Sequence, residues 1–216
     1  RMKFLIKFFG YLFGIGAVLA LLVAAGVWFY LDNLSKDLPD YTALKNYEPP
    51  VMTRVHASDG SLMAEYAKQR RMFLPIQAIP DLLKQAYISS EDKNFYSHVG
   101  IDPEGIARAT VRFVQNYGSG RRPEGASTIT QQVAKNFLLT NEVSIDRKIK
   151  EAILSLRIEQ AYTKDEILEL YLNEIYLGLG AYGVAAASLV YFDKSVHELT
   201  LDEVAYLAAL PKAPNN

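Results

Sequence analysis

Glu91 is the first residue in this sequence whose setting suits acid–base chemistry. Small polar residues flank it, and Phe95 and His98 follow shortly after in the chain. Loss of solvation beside aromatic rings favours the protonated form of a carboxylate, a property that suits a general base or acid. An acid at this place is equally typical of a helix N-terminus, where it interacts with the helix dipole. Position alone leaves both interpretations open.

Glu151 is the second candidate, in a short basic segment. If this segment is helical, Arg147 and Lys148 lie on the same side as Glu151, one turn before it. Such a cluster is typical of a solvated, salt-bridged surface. It would equally form a cationic wall that binds phosphate, while Glu151 positions a divalent ion or orients the cations. Lys135 would join this wall if its helix packs nearby.

A run dense in neutral hydrogen-bonding groups lies between the two glutamates. It contains Ser127, Thr128, Thr130, Gln131 and Gln132. Thr128 and Gln131 fit a capping box, in which two side chains satisfy backbone amides at a helix N-terminus. The alternative is a polar lining that binds sugar hydroxyls and phosphate oxygens at that helix end.

Three other patterns carry weaker signals. The glycines of 178–183 match the dinucleotide pattern G-x-G-x-x-G, but that fingerprint follows a strand. The preceding segment is predicted to be helical, so we expect a tight helix-to-helix turn. Residues 90–93 match the S-x-x-K of transpeptidases without an accompanying K-T-G. The histidines have no metal-ligand spacing.

The chain begins with a segment that is long and apolar enough to cross a membrane. Residues 8–31 contain no charge, and about 20 apolar residues span a bilayer. Basic residues precede the segment and acidic residues follow it, so the positive-inside rule places the N-terminus in the cytoplasm. We therefore predict a cytoplasmic tail at 1–7 and a transmembrane helix at 8–31. A cleaved signal peptide is the alternative.

The remaining chain divides into a connector, a small β element and a helical domain. Residues 32–50 are polar and predict a connector, and 51–75 predict a β-hairpin that turns at Asp59-Gly60. Residues 76–216 are mainly helical in pattern, with capping boxes that begin at Thr163 and Thr200. The fold class is therefore mainly α with a small β element.

Two helices carry a distinctive apolar pattern. Apolar residues of 145–156 repeat at helical spacing and predict one buried face, formed by Ile145, Ile149, Ala152, Ile153 and Leu156. The helix predicted for 102–117 carries apolar residues beside a basic loop, at Ile106, Val111, Phe113, Val114 and Tyr117, with Arg121 and Arg122 after them. That helix fits a membrane interface or the core equally well.

Composition excludes some classes of function. The net charge is −1, so we expect no nucleic-acid partner. Cysteine is absent, which excludes disulfides and thiolate metal sites.

Taken together, five motifs resemble, in order, the peptidoglycan glycosyltransferase domain of class A penicillin-binding proteins (glycosyltransferase family 51). The resemblance covers about residues 50 to 214. The motifs comprise Glu91-Asp92-x-x-Phe95-x-x-His98-x-Gly100, Gly125-x-Ser127-Thr128-Ile129-Thr130-Gln131-Gln132, Arg147-Lys148-x-x-Glu151, Ile167-Leu168-x-x-Tyr171-Leu172-Asn173 with its glycine turn, and Leu199-Thr200-Leu201 through Leu210-Pro211-Lys212-Ala213-Pro214.

The resemblance implies a lysozyme-like α fold that acts on lipid II and the nascent glycan chain. It implies that Glu91 is the general base and that Glu151 assists pyrophosphate departure, by holding a divalent cation (Mg²⁺ or Mn²⁺) or the basic residues. The residues implied in substrate binding are Asp92, Phe95, His98, Ser127, Thr128, Gln131, Gln132, Lys135, Arg147 and Lys148.

The resemblance also implies a location and partners. We expect a single-pass protein of the bacterial inner membrane with a periplasmic catalytic domain, and as partners the membrane and either wall-synthesis proteins or a second copy. A transpeptidase domain is expected after residue 216. Many members carry arginine where this chain has Val143, so we expect the charge at the donor site either to be lower or to be supplied by Arg121 or Arg122.

Two other functions remain open at this point. A lytic transglycosylase or lysozyme can share the fold and a catalytic glutamate, but a neutral glycan needs no cationic clamp. A membrane-anchored scaffold for wall synthesis would need neither Glu91 nor Glu151.

Overall fold

The computed structural model describes residues 2–47, 53–59, 62–66, 70–117, 125–140, 142 and 144–212. The chain forms two compact units, Arg1–Pro39 and Asp40–Asn216. Each unit is described by itself.

The N-terminal unit is one long helix, α1, Met2–Lys36. Its stretch Lys7–Lys36 is long and apolar enough to cross a membrane. The helix extends beyond the predicted 8–31 at both ends, into the predicted tail and the predicted connector. A helix does not have to end where the apolar run ends, and Lys36 pairs with Asp32 one turn earlier at 2.6 Å.

The second unit is mainly α, as predicted. Short 3-10 turns lie at Tyr41–Asn46, Ile76–Ala78 and Leu210–Lys212. Among the residues that the structure describes, the helices of this unit are α2 Asp81–Glu91, α3 Pro103–Gln115, α4 Ile129–Leu138, α5 Ile145–Ala161, α6 Lys164–Glu174, α7 Val184–Phe192 and α8 Leu201–Ala209.

Local sequence signals begin several of these helices. The Thr163 hydroxyl accepts a hydrogen bond from the amide of Glu166, and the Thr163 amide donates one to the Glu166 carboxylate. At the second capping box, the Thr200 amide donates to the Glu203 carboxylate. Asp102 precedes α3, with Pro103 at the first helical position, where a missing amide hydrogen costs nothing. These predicted helix starts are confirmed.

The core of the second unit centres on α6. This helix packs against α4, α5 and α7, and α2 packs against α8. Each fully buried Leu, Ile or Phe side chain stabilises such a core by about 1.5–3 kcal/mol. The largest side chains with almost no exposure are Tyr87, Tyr171, Phe95, Ile79, Leu83, Ile129, Leu154, Ile158, Ile167, Leu168, Leu172 and Leu177.

The predicted buried face of α5 is wrong. Ile145 is 78% exposed and Leu156 is 37% exposed. The buried positions are Glu151, Leu154, Ser155 and Ile158. Because two of these four are polar, hydrophobic spacing could not identify the face that the helix buries.

The predicted β-hairpin is present. Strand β1, Thr53–His56, pairs antiparallel with β2, Leu62–Tyr66, and the register shifts between Val55 and His56. A second pair was not predicted: β3, Arg70–Arg71, runs parallel to β4, Ala181–Tyr182. Strands of two residues are too short to leave a periodic pattern.

The glycine segment 178–183 joins α6 to α7, as expected, and contains β4. A Cβ on Gly183 would lie 2.6 Å from the carbonyl oxygen of Asn173, and the φ of Gly183 is +79°. Only glycine fits there without strain. A helix rather than a strand precedes the segment, so the dinucleotide fingerprint is absent.

Candidate active site

A cavity of about 600 Å³ in the second unit contains both candidate glutamates. Its wall brings together parts of the chain that are distant in sequence. The lining residues are Ser89, Ser90, Glu91, Lys93, Arg108, Gly125, Ser127, Gln132, Lys135, Arg147, Lys148, Glu151, Pro211 and Lys212.

Glu91 is the last residue of α2, and its two oxygens have different surroundings. Oε2 accepts a hydrogen bond from the side-chain amide of Gln132 on α4, at 3.0 Å. Oε1 is buried and has no hydrogen-bond partner among the described residues. Leaving a buried acceptor without a partner costs about 1–3 kcal/mol, more for a charged group. The carboxylate is therefore held through one oxygen, and the other lies buried without a described partner.

A buried network fastens the end of α2 to the start of α4. Asp92 Oδ2 accepts from the amide of Ile129 and from His98 Nε2, both at 2.9 Å. The amide of Gly100 donates to His98 Nδ1 at 3.1 Å, so Nδ1 is an acceptor and Nε2 carries the hydrogen. The Thr128 hydroxyl donates to the carbonyl of Gly100 at 2.6 Å. This network places Glu91 next to Gln132.

Some predicted substrate-binding residues lie in this framework and do not line the cavity. Thr128 and Gln131 form the capping box of α4 and are buried, as the structural interpretation of that run predicted. Phe95 is fully buried, with Lys164 Nζ 4.5 Å from the centre of its ring. The geometry gives Asp92, Phe95, His98, Thr128 and Gln131 a positioning role, and direct contact with substrate stays a prediction.

Glu151 lies on α5, and both of its oxygens are bonded to cations. Oε2 accepts from Arg147 Nη1 at 2.8 Å, and Oε1 accepts from Lys148 Nζ. Lys148 Nζ also donates to the Ser127 hydroxyl at 2.7 Å. The α5 helix begins at Ser144, whose side chain accepts from the amide of Arg147. Glu151 is only 2% exposed, so its negative charge interacts with these two cations rather than with solvent.

The cavity is strongly cationic. Lys93, Arg108 and Lys212 line it together with the predicted Lys135, Arg147 and Lys148, against two carboxylates. Sequence reasoning did not find Lys93, Arg108 and Lys212, because they lie on three separate segments with no shared spacing. Clustered charge of one sign attracts a ligand of the opposite sign, so the cavity suits an anion.

The described residues do not fit a metal ion held by the protein alone. They contain no group of three or more His, Cys, Asp or Glu side chains that could hold one. Glu91 and Glu151 are the acidic residues of the described cavity lining, and both oxygens of Glu151 are bonded to cations. The geometry therefore favours the second of the two roles predicted for Glu151, orientation of Arg147 and Lys148.

Gly60 of the predicted hairpin turn and the three residues considered for the donor-site charge lie outside the described residues. Those three residues are Arg121, Arg122 and Val143. The proposed replacement of the missing arginine charge thus stays a prediction.

Comparisons with known proteins identify the family. The transglycosylase family model matches residues 59–216. The chain is 57% identical over 199 residues to penicillin-binding protein 1A of Rickettsia conorii, and this alignment covers 92% of this chain and 25% of that protein. It is 46% identical over 209 residues to penicillin-binding protein 1A of Escherichia coli, covering 97% of this chain and 24% of that protein. The predicted resemblance to class A penicillin-binding proteins is confirmed.

The chain spans about a quarter of the length of these relatives. Among solved structures, it is similar to penicillin-binding protein 1A from Haemophilus influenzae, at 27% identity and a TM-score of 0.37. The match covers 78% of this chain and 15% of that chain.

Proposed function

Since the chain belongs to the transglycosylase family, we propose that it is a peptidoglycan glycosyltransferase that polymerises lipid II into glycan strands. Lipid II is a disaccharide-pentapeptide carried on undecaprenyl pyrophosphate, so it joins a sugar to an anionic leaving group. One observation carries the proposal. A single cavity contains a carboxylate with a free oxygen and a second carboxylate that is bonded to two cations.

In this proposal Glu91 is the general base. Its carboxylate takes the proton from the 4-hydroxyl of the acceptor GlcNAc, and the hydroxyl oxygen bonds to the anomeric carbon of the growing chain's MurNAc. The bond from that carbon to the pyrophosphate breaks, undecaprenyl pyrophosphate leaves, and the configuration inverts. A positioned base contributes about 10²–10⁴-fold to such a step.

The cationic side of the cavity stabilises the leaving group. Negative charge grows on the pyrophosphate as the bond breaks, and fixed cations there lower the barrier. Arg147, Lys148 and Lys135 are the residues proposed for this task. Ser127 accepts a hydrogen bond from Lys148 and so keeps this ammonium directed into the cavity.

Glu151 acts in this proposal through its neighbours. Without a carboxylate between them, Arg147 and Lys148 would repel each other, and Glu151 offsets that repulsion. The predicted Mg²⁺ or Mn²⁺ stays a prediction. No step of the proposed reaction passes through it, because both oxygens of Glu151 are already bonded.

We further propose that the protein is anchored by α1 in the inner membrane, with the catalytic unit on the periplasmic side. The charge difference across the apolar run supports this orientation. Apolar residues of α3 are exposed, with Val111 at 54%, Phe113 at 50% and Val114 at 67%. The core alternative for this helix therefore has less support than the interfacial one, in which the rings enter the lipid headgroup region.

Turnover of two substrates by the full chain in detergent tests this function. The protein is incubated in parallel with lipid II and with preformed glycan strands, and products are separated by size. We expect longer glycan strands from lipid II and no shortening of the preformed ones. Cleavage of preformed glycan would favour a lytic enzyme, and no reaction with either substrate would favour a scaffold.

A further inference from the structure

Tyr171 is a buried tyrosine whose hydroxyl the proposed mechanism does not yet use. Its side chain is 1% exposed, and its hydroxyl has no hydrogen-bond partner among the described residues. A buried hydrogen-bond donor without a partner destabilises the folded state. Such a group in a closely packed core calls for a physical explanation.

Tyr171 packs against Tyr87, which lies one helical turn before Glu91 on α2. Its ring lies edge-on to the ring of Tyr87, with 6.2 Å between ring centres. Tyr87 precedes Glu91 by four positions, one helical turn, so the two side chains share a face. The free Oε1 of Glu91 and the Tyr171 hydroxyl are both buried and both without a described partner. One is an acceptor and the other is a donor.

The electrostatics agree with this geometry. Burial raises the pKa of Tyr171 well above its usual value, and the charge of Glu91 raises that pKa further. The hydroxyl therefore keeps its proton and can donate a hydrogen bond to a carboxylate without giving the proton away.

We propose, on the basis of the proposed function, that Tyr171 is a positioning residue whose hydroxyl is linked to Oε1 of Glu91 through one buried water, which accepts from the hydroxyl and donates to the carboxylate. This link favours the ionised carboxylate and fixes the orientation of the carboxyl group at the cavity wall. The proton of the acceptor moves to Glu91, and Tyr171 keeps its own. A donor to the charged form makes a carboxylate a weaker base but keeps it ionised at lower pH.

Other charged and titratable groups near Glu91 also influence the pH dependence of the reaction. They must be unchanged in the comparison, so the test alters one hydroxyl only. These groups are Tyr87 on α2, Asp92 and Lys93 after it, Arg108 on α3, Lys135 on α4, Arg147, Lys148 and Glu151 on α5, and Lys212 after α8.

The test is the pH profile of kcat/KM for lipid II polymerisation by the full chain and by Tyr171→Phe. We expect the acidic limb of the profile to move to higher pH by about one unit, because a carboxylate without its donor holds a proton more tightly. A purely structural role would lower the rate equally at every pH. An acidic limb that does not move in Tyr171→Phe would overturn the proposal.

Tyr87→Phe is the matched control. It removes a second buried hydroxyl from the same aromatic pair, but that hydroxyl donates to the carbonyl of Leu207 at 3.0 Å. We expect no displacement of the acidic limb in this variant. An equal displacement in both variants would assign the effect to general packing and would also overturn the proposal.

Replacement of Tyr171 by a ring-fluorinated tyrosine gives a second variant, in case Tyr171→Phe does not fold. The fluorinated phenol is more acidic and is therefore a stronger hydrogen-bond donor, while its shape is nearly that of tyrosine. The acidic limb of the kcat/KM profile should therefore move to lower pH. A limb displaced upward or not at all would contradict the proposal. If the unaltered chain does not polymerise lipid II, the proposed function fails. If it does polymerise lipid II but the acidic limb of the pH profile does not move in the Tyr171 variants, only the role proposed for Tyr171 fails.

Discussion

Glu91 and Glu151 line the same cavity, but their oxygens have different neighbours. Glu91 accepts one hydrogen bond from a neutral amide and leaves Oε1 without a described partner. Glu151 gives one oxygen to Arg147 and the other to Lys148. The first carboxylate can receive a proton without breaking an ion pair, and the second cannot.

This difference separates two tasks that two similar side chains perform. Pairs of acids in one site take different roles when their surroundings differ. The free oxygen of Glu91 suits proton transfer, and the paired carboxylate of Glu151 suits the fixed arrangement of cations. Substitutions of equal size at the two positions should therefore have different consequences for rate, stability and pH dependence.

Glu91→Gln should have the largest effect on the rate. The amide cannot accept the acceptor's proton, so polymerisation should fall by about 10²–10⁴-fold. The fold should change little, because the one hydrogen bond to Gln132 can be replaced by the amide oxygen. Strand synthesis and thermal unfolding are measured on the same preparation. Near-normal synthesis by a folded variant would remove Glu91 as the base.

Glu151→Gln should lower the rate less and the stability more. We expect a loss of about 10²-fold in turnover, because misplaced cations stabilise the leaving group poorly. Breaking a fully buried ion pair costs about 3–5 kcal/mol, and we expect less here because Lys148 is 48% exposed. Urea unfolding of both glutamine variants measures this difference. Equal stability of the two would contradict the structural role of Glu151.

Lys148→Ala should reduce turnover about tenfold through loss of charge at the leaving group. Its effect on stability should be smaller than that of Glu151→Gln, because Glu151 keeps its ion pair with Arg147. Lys150→Ala on the same helix is the matched control, because Lys150 does not belong to the cavity lining. A solvated surface cluster predicts instead that neither variant changes the rate.

The smallest effect concerns a region outside the cavity. A chain that begins at Asp40 should still bind anionic liposomes through α3, and serine at Phe113 and Tyr117 should release it without unfolding it. Tyr117 is 82% exposed. Leu201→Ser, which alters an apolar residue that is 68% exposed on α8, is the control and should not affect binding. Failure of the unaltered shortened chain to bind would limit membrane contact to α1.

The sequence predicted best what local rules control. The β-hairpin and the helix starts at Thr163 and Thr200 follow from short-range hydrogen bonding, and they are present. The face of α5 was predicted wrongly because Glu151 and Ser155 are buried on it. Local and tertiary preferences often disagree at functional sites, and here the disagreement occurs at a candidate catalytic residue.

The candidate site was predictable only where its residues are close in sequence. The grouping of Arg147, Lys148 and Glu151 follows from helical spacing. Lys212 reaches the cavity from the far end of the chain, which no spacing rule reveals. Nor could the sequence show that His98 would bind Asp92 and not line the cavity, because this depends on how α2 and α4 pack.

The pH dependence of the residual rate in the two glutamine variants tests the separation of tasks most directly. If Glu91 is the base, the acidic limb of kcat/KM should disappear in Glu91→Gln, because the group whose protonation stops the reaction is gone. The limb should persist in Glu151→Gln at a lower overall rate. An acidic limb that persists in Glu91→Gln, or that disappears only in Glu151→Gln, would contradict the assignment of proton transfer to Glu91.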